Sequence, residues 1–251
     1  MNKIWFFGDS YVSIAKQQFL EKNFGTKSWT KIVTETFPEY NNWNIALAGS
    51  SLDFLYYTYE QRRKEFKSGD IVIMSLTTIE RLLLRNDKKN THSFLRPKGI
   101  VTHEDGICVS IVDDHPWCAH FADDLFNPET HKATLNLFLN SLQYDAMTKG
   151  IKIIALPITH FPFLDTEDKD HITLGRTVKG HSLLEVTNRQ LRFKFDGKYK
   201  IGDFWNQTEC REYDNTLHNH LTPRNNEILA NKLIRNIKTN EPIDLTTEWE
   251  F

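Results

Sequence analysis

The chain has 251 residues, of which 25% are charged and 39% are hydrophobic, and its formal net charge is −2 at pH 7. This composition is typical of a globular protein, and the length is sufficient for one large α/β domain with a full core. The near-neutral charge argues against nucleic acid or an anionic membrane as a partner, and the apolar runs are too short to cross a bilayer.

The cysteines indicate a reducing compartment. The chain has three of them, an odd number without a C-x-x-C pair, at Cys108, Cys118 and Cys210. That pattern favours free thiols over a disulfide framework. The N-terminal apolar run is too short for a secretion signal, so the sequence predicts a cytoplasmic protein.

The first strand predicted from the sequence ends in chemistry-bearing residues. Residues 3–8 form an apolar run that reads as a short buried strand, and the run stops at Gly8-Asp9-Ser10. In open α/β sheets the carboxyl edge is where ligands bind. The pattern therefore places a serine hydroxyl at that edge. Asp9 and Ser10 are also ordinary turn and helix-capping residues, so the tripeptide alone does not decide the matter.

Helices and strands alternate along the rest of the chain. This alternation predicts a three-layer, doubly wound parallel sheet. The apolar patterns predict helices at 12–22, 29–37, 52–66, 128–150 and 223–237, and further strands at 44–49, 71–76 and 151–157.

Two long segments lack a clear pattern. Residues 86–127 are rich in Asp, His, Lys and Pro, and residues 158–219 carry scattered aromatic side chains. Both segments are longer than ordinary connections, and long connections are often lids or binding loops. We interpret the chain as one domain, residues 1–251, with irregular insertions at these two places.

Four residues should meet at one edge if the sheet is parallel. Three predicted strands end at Ser10, Gly49 and Thr77, and His220 precedes the last helix. A nucleophilic serine needs a base, usually histidine, and donors that face the oxyanion formed in acyl transfer.

Short blocks of the sequence resemble the SGNH, or GDSL-like, hydrolase family. The blocks are Phe7-Gly8-Asp9-Ser10, Asn44-x-Ala46-x-Ala48-Gly49-Ser50, and His220-Leu221-Thr222 with Ala230. The resemblance implies a flavodoxin-like α/β fold and ester hydrolysis without a cofactor. It also implies that Ser10 is the nucleophile, that His220 is the base, and that the Ser10 and Gly49 amides stabilise the oxyanion.

The sequence departs from the family pattern at two positions. The family's third block supplies an asparagine amide, whereas the strand end here reads Ser75-Leu76-Thr77-Thr78, so a hydroxyl of Thr77 or Thr78 is the candidate donor. The family's acid stands three residues before the histidine, which is Leu217 here. The nearest acid is Asp214, six residues before His220.

Other assignments of the acid and the base stay open at this point. Asp168 and His171 have the family's acid-x-x-histidine spacing, although no helix of the expected kind follows them. His218 is another candidate base because alternate side chains of an extended segment point to opposite sides. A dyad without an acid, in which a backbone carbonyl orients the imidazole, is also compatible with the sequence.

A metal centre is the weaker interpretation of a second cluster. Five potential ligands lie close together in the chain, but neither a C-x-x-C nor an H-x-x-x-H pair occurs among them. They are His103, Cys108, His115, Cys118 and His120. We therefore predict no metal.

Two functions are compatible with these features. The first is a serine esterase that acts on a small O-acyl ester, such as acetate on a carbohydrate. The second is a catalytically degraded scaffold of the same kind that acts in binding or host interaction, suggested by the missing asparagine and the displaced acid. The substrate class rests on family analogy alone.

Overall fold

The computed structural model describes residues 1–13, 21–22, 25–77, 81–84, 101–103, 106–110, 127–159, 178–179, 182–217 and 220–251. Most of the helix predicted at 12–22, much of segment 86–127, and the first part of segment 158–219 lie outside these residues. Within the described residues, no helix is both long enough and apolar enough to cross a membrane.

The described residues form nine strands, six α-helices and two 3₁₀ turns. The strands are β1 (Lys3–Phe7), β2 (Asn41–Asn44), β3 (Ile71–Leu76), β4 (Arg81–Leu84), β5 (Val101–His103), β6 (Gly106–Ser110), β7 (Lys152–Pro157), β8 (Val178–Lys179) and β9 (Ile243–Asp244). The α-helices are α1 (Trp29–Thr36), α2 (Leu52–Arg62), α3 (Pro128–Lys149), α4 (Leu183–Lys194), α5 (Thr208–Thr216) and α6 (Pro223–Thr239), with 3₁₀ turns at Arg63–Glu65 and Ile201–Asn206.

The central sheet is parallel and confirms the predicted α/β fold. Its strand order is β2-β1-β3-β7, and every neighbouring pair runs parallel. This is the order of flavodoxin-like sheets, in which the chain moves outward from β1 on both sides. The crevice at the carboxyl ends of β1 and β3 is therefore the topological switch point, and it is where such sheets bind ligands.

Both faces of the sheet are covered, which explains the apolar strands. Ile4 and Phe6 belong to a core cluster with residues of α1, α4 and α6, whereas Trp5 and Phe7 belong to a second cluster with residues of α2 and α3. Successive side chains of a strand point to opposite faces, so a strand buried on both sides is largely apolar. Helices thus form one layer on each side of the sheet.

The second strand differs from its predicted position. We expected it at 44–49, but β2 covers Asn41–Asn44, three of whose four residues are asparagine, and it lies at the edge of the four-stranded sheet that the described residues form. The apolar residues that follow form a loop that still runs beside β1, since Ile45 N donates to Phe6 O and Leu47 N donates to Gly8 O. An edge strand is covered on fewer sides, so hydrophobicity did not mark its bounds.

The prediction of irregular structure at 158–219 is wrong for its later part, where α4 and α5 form. Ser182 caps α4 by accepting a hydrogen bond from Glu185 N, so the S-x-x-E pattern was an available helix signal. α5 buries only Cys210 and Asp214, which is too few residues to produce an apolar period. In segment 86–127, β5 and β6 pair with each other, and β6 pairs with β4.

A buried carboxylate joins α2 to α3. Asp145 accepts two hydrogen bonds from the Arg63 guanidinium, at 2.7 and 2.9 Å, and one from the Tyr59 hydroxyl at 2.7 Å. Burial alone would raise the pKa of Asp145, but these hydrogen bonds outweigh it and lower the pKa below its ordinary value. The Asp145 charge therefore stabilises the fold only while it is ionised.

Acid should remove this stabilisation. A group whose pKa is lower in the folded protein stabilises it fully above the unfolded-state pKa, about 3.9 for Asp, and the contribution is lost as the pH falls through the folded-state pKa. We expect Asp145→Asn to lower the free energy of unfolding by about 2–3 kcal/mol at pH 7, with the deficit shrinking below about pH 4. Urea unfolding between pH 3 and pH 7 measures this.

The exposed pair Lys132–Glu129 provides the control. Glu129→Gln should change the free energy of unfolding by less than about 1 kcal/mol at every pH. A deficit of Asp145→Asn that stays constant down to pH 3 would contradict the assignment.

Candidate functional site

Ser10 lies directly after β1, at the carboxyl edge of the sheet. Gly8 has a φ of 138°, and the chain then turns so that the amides of Val12 and Ser13 both donate to the carbonyl of Asp9. The Ser10 side chain stays partly exposed in this turn. The hydroxyl is thus held at the switch point of the sheet on a short, hydrogen-bonded loop.

Hydrogen bonds between Asp9 and Ser75 hold this turn in place. The Ser75 hydroxyl donates to Asp9 Oδ1 at 3.1 Å and accepts from Asp9 N at 3.2 Å, and Tyr11 N donates to the same Asp9 oxygen. Asp9 and Ser75 are both buried. The end of β3 therefore fixes the loop that carries Ser10.

His220 reaches Ser10 from the connection between α5 and α6. Its Nε2 lies 2.7 Å from Ser10 Oγ, although the two residues are 210 positions apart in the chain. His220 has a φ of 64°, in the left-handed region that residues other than glycine rarely adopt. A fifth of its side chain is exposed.

Asp214 is the acid that contacts His220. Its Oδ2 lies 2.8 Å from His220 Nδ1, and its carboxylate is almost fully buried. Asp214 occupies the last turn of α5, which ends when Leu217 N donates to Asp214 O. Leu217, at the position where the family pattern has its acid, is instead buried as an apolar residue. The acid therefore comes from the preceding helical turn.

The partners of the imidazole define its tautomer. A carboxylate oxygen only accepts hydrogen bonds, so His220 Nδ1 carries the proton and donates it to Asp214. The Nε2 atom is then a lone-pair acceptor, and the Ser10 hydroxyl donates to it. The three residues form a chain in which a proton can leave Ser10 Oγ for the imidazole.

The backbone amides of Ser10 and Gly49 lie in two loops at the end of β1. In the described part of the chain, neither Ser10 N nor Gly49 N makes a hydrogen bond. Leu47 N and the Ser50 hydroxyl both donate to Gly8 O, which fastens the 47–50 loop to the end of β1. The arrangement leaves two unused N–H donors at the edge where Ser10 lies.

Thr77 is placed differently from these amides. It is fully buried, and its hydroxyl donates to the Ser50 carbonyl over a long 3.4 Å. Its proton is thus directed at the loop that carries Gly49. As a third oxyanion donor, Thr77 would first have to give up this bond.

The structure brings Ser10, His220 and Asp214 together, and it leaves other sequence candidates untested. Thr78, Asp168, His171 and His218 lie outside the described residues. So do three residues of the potential metal cluster: His115, Cys118 and His120. Among the described residues, no group of three or more His, Cys, Asp or Glu side chains is arranged to hold a metal ion.

Sequence reasoning missed three residues that surround His220. The Tyr11 ring lies 4.7 Å from the imidazole, centroid to centroid. From α4, Gln190 donates to the His220 carbonyl, and Thr187 Oγ1 lies 3.2 Å from the same oxygen. Of the three, only Tyr11 could have been identified from the sequence, because it directly follows Ser10. The two α4 residues lie in the segment that we predicted to be irregular, so nothing pointed to them.

Comparisons with known proteins found distant structural similarities. No family model matches the chain. No curated protein matches it either.

Several solved structures are similar. Protein YXIM from Bacillus subtilis is 13% identical over 80% of this chain, with a TM-score of 0.38, and the chain spans 50% of that protein's length. A lipase/acylhydrolase from Enterococcus faecalis is 10% identical over 97% of this chain and 98% of its own, with a TM-score of 0.38. A predicted GDSL-like lipase from Parabacteroides merdae is 13% identical over 92% of this chain and 94% of its own, with a TM-score of 0.36. At such TM-scores these likenesses carry no argument, and the interpretation of the site depends on its own geometry.

Proposed function

We propose that the protein is a serine esterase of the SGNH type. One observation carries the proposal: the hydrogen-bonded chain from Ser10 through His220 to Asp214, with distances of 2.7 and 2.8 Å. A serine hydroxyl, an imidazole and a carboxylate in this order form the arrangement that activates a serine nucleophile in several unrelated folds.

The proposed reaction proceeds in two halves. His220 Nε2 accepts the Ser10 proton while Ser10 Oγ attacks the ester carbonyl, and Asp214 stabilises the imidazolium that forms. The imidazolium then gives its proton to the departing alcohol, which leaves an acyl group on Ser10. Water attacks the acyl group with His220 again as the base, and the acid is released.

The oxyanion of each tetrahedral intermediate is proposed to accept hydrogen bonds from Ser10 N–H and Gly49 N–H. Thr77 is the candidate for a third donor, at the cost of its bond to Ser50 O. In other enzymes, the loss of one such donor lowers kcat about 10²–10³-fold. We therefore expect a slow esterase if Thr77 keeps its present partner.

A small O-acyl ester is the proposed substrate class, for example an acetyl group on a carbohydrate. No cofactor is needed, because every step uses Ser10, His220, Asp214, backbone amides and water. The odd number of cysteines, of which Cys210 is buried and free, supports the proposal that the protein works in the cytoplasm.

A fluorophosphonate probe tests the nucleophile directly. Ser10 Oγ should attack the phosphorus and expel fluoride, and peptide mass spectrometry should find one adduct, on Ser10. The Ser10→Ala variant should not react, whereas Ser68→Ala, an exposed serine in the turn before β3, should react like the unmodified protein.

Two outcomes would contradict the esterase proposal. One is a folded protein that forms no adduct, which would favour the binding scaffold. The other is an adduct on a residue other than Ser10, which would place the nucleophile elsewhere.

A further inference from the structure

We propose that Gln190 and Thr187 of α4 are positioning residues that hold His220 between Ser10 and Asp214; the inference rests on the esterase function proposed above. They act on the backbone of His220, not on its imidazole. Gln190 Nε2 donates to the His220 carbonyl at 3.0 Å, and Thr187 Oγ1 lies 3.2 Å from the same oxygen.

His220 requires such a restraint because of its backbone. Its φ of 64° is strained for a residue with a side chain, and such conformations persist only when surrounding contacts enforce them. Relaxation to an ordinary φ would swing the imidazole away from both of its partners. The side chains of Gln190 and Thr187 hold the carbonyl of His220 itself, and this contact restrains its backbone.

Gln190 also fixes the segment that follows. Its Oε1 accepts from Thr222 N at 3.1 Å and from Asn225 Nδ2 at 2.6 Å. Gln190 and Asn225 are both buried. One amide side chain thus joins the His220 carbonyl to the start of α6, and it uses both its donor and its acceptor to do so.

Thr187 connects the histidine to the loop of the nucleophile. Its hydroxyl lies 2.9 Å from the Tyr11 hydroxyl and 3.2 Å from the carbonyls of His220 and Leu183. Carbonyls only accept, and Thr187 has one proton, so the Tyr11 hydroxyl must donate to Thr187 when that proton goes to a carbonyl. The Tyr11 ring lies against the imidazole, so α4 restrains both sides of the Ser10–His220 contact.

The test combines kinetics with a measurement that does not depend on turnover. Thr187→Val and Gln190→Met remove the polar contacts and nearly keep the side-chain volume, whereas Thr187→Ser keeps the hydroxyl. We expect the first two to lower kcat for a short-chain aryl ester roughly 10- to 100-fold with KM unchanged, because a misplacement of about 1 Å costs up to 10²-fold. Thr187→Ser should retain kcat within about threefold.

The NMR signal of the His220 Nδ1 proton reports the bond to Asp214. It should be present in the unmodified protein and Thr187→Ser, and weakened or lost in Thr187→Val and Gln190→Met. Asn236→Met is the matched control. Asn236 is also buried, and its side-chain amide also donates to a carbonyl, that of Glu241. It lies about 20 Å along α6 from Pro223, the first residue of the helix. The control should keep both the signal and kcat, whatever it loses in stability.

The two proposals fail in different ways. If the unmodified protein turns over no ester but the Nδ1 signal changes as described, the esterase function fails and the positioning role stands. If folded Thr187→Val and Gln190→Met keep the signal and kcat of the unmodified protein, the positioning role is wrong even for an active esterase. A loss of the signal in Asn236→Met as well would show a general effect of lost stability and would also overturn it.

Discussion

Ester turnover by the Ser10→Ala variant will be about 10⁴-fold or more below that of the unmodified protein. His220→Ala should lose a similar factor, because the hydroxyl and the imidazole act as a unit and neither is effective without the other. The loss of turnover in Asp214→Ala should be roughly 10- to 100-fold smaller than in these two variants, since the imidazole remains beside Ser10 but is no longer oriented. Hydrolysis of a short-chain aryl ester under saturating conditions measures all three.

The double variant makes this prediction sharper. Ser10→Ala combined with His220→Ala should be no slower than either single variant, because each already removes the whole unit. Ser68→Ala, at the opposite edge of the sheet, should turn over the ester at the normal rate. Multiplicative losses in the double variant would mean that the two residues act independently, contrary to their 2.7 Å contact.

The second large effect is expected on stability, at Gly8. A Cβ built on Gly8 would lie 2.0 Å from Ser75 Oγ, 3.0 Å from Ser75 Cβ and 3.1 Å from Ser75 N. The last contact is with backbone, so rotation of the serine side chain cannot relieve the clash fully. The φ of 138° adds strain for any residue with a side chain. We expect Gly8→Ala to cost about 3–5 kcal/mol, or roughly 10 °C in Tm.

Gly197→Ala separates the clash from the backbone strain. Gly197 also has a positive φ, of 68°, but no atom lies within 4 Å of the added Cβ. Its loss should be about 1–2 kcal/mol. Ser75→Gly removes two of the three close contacts but also the hydroxyl that bonds Asp9, so the double variant with Gly8→Ala should lose less stability than the sum of the two single losses. Thermal unfolding of the unmodified protein and the four variants is the measurement, and equal losses at Gly8 and Gly197 would refute the role of Ser75.

The parallel core was predictable because its strands are buried on both faces. Ile71–Leu76 is buried at every position, so an apolar run interrupted only by Ser75 was sufficient to identify it. The Gly8-Asp9-Ser10 break was likewise visible, since glycine readily adopts the positive φ of 138° with which the chain leaves β1. β2 was misplaced because its exposed edge position requires no hydrophobicity.

The sequence included Asp214 among the candidates for the acid, but it could not select Asp214 over the others. Asp214 lies six residues before His220, and only the helical geometry of α5 shows how that spacing reaches the imidazole. The roles of Gln190 and Thr187 could not be predicted at all. They depend on contacts with a backbone carbonyl that lies 30 positions from Gln190 and 33 positions from Thr187, and such contacts leave no local pattern in the sequence.

The wide separation of Ser10 and His220 along the chain has a consequence for biosynthesis. A ribosome synthesises Ser10, the proposed nucleophile, long before it synthesises His220, the proposed base, because the two residues are 210 positions apart in the chain. Emerging chains should therefore carry an inert serine throughout translation, and reactivity should appear late and all at once. Contacts between such remote positions form slowly, so the onset of probe labelling would time the last step of folding.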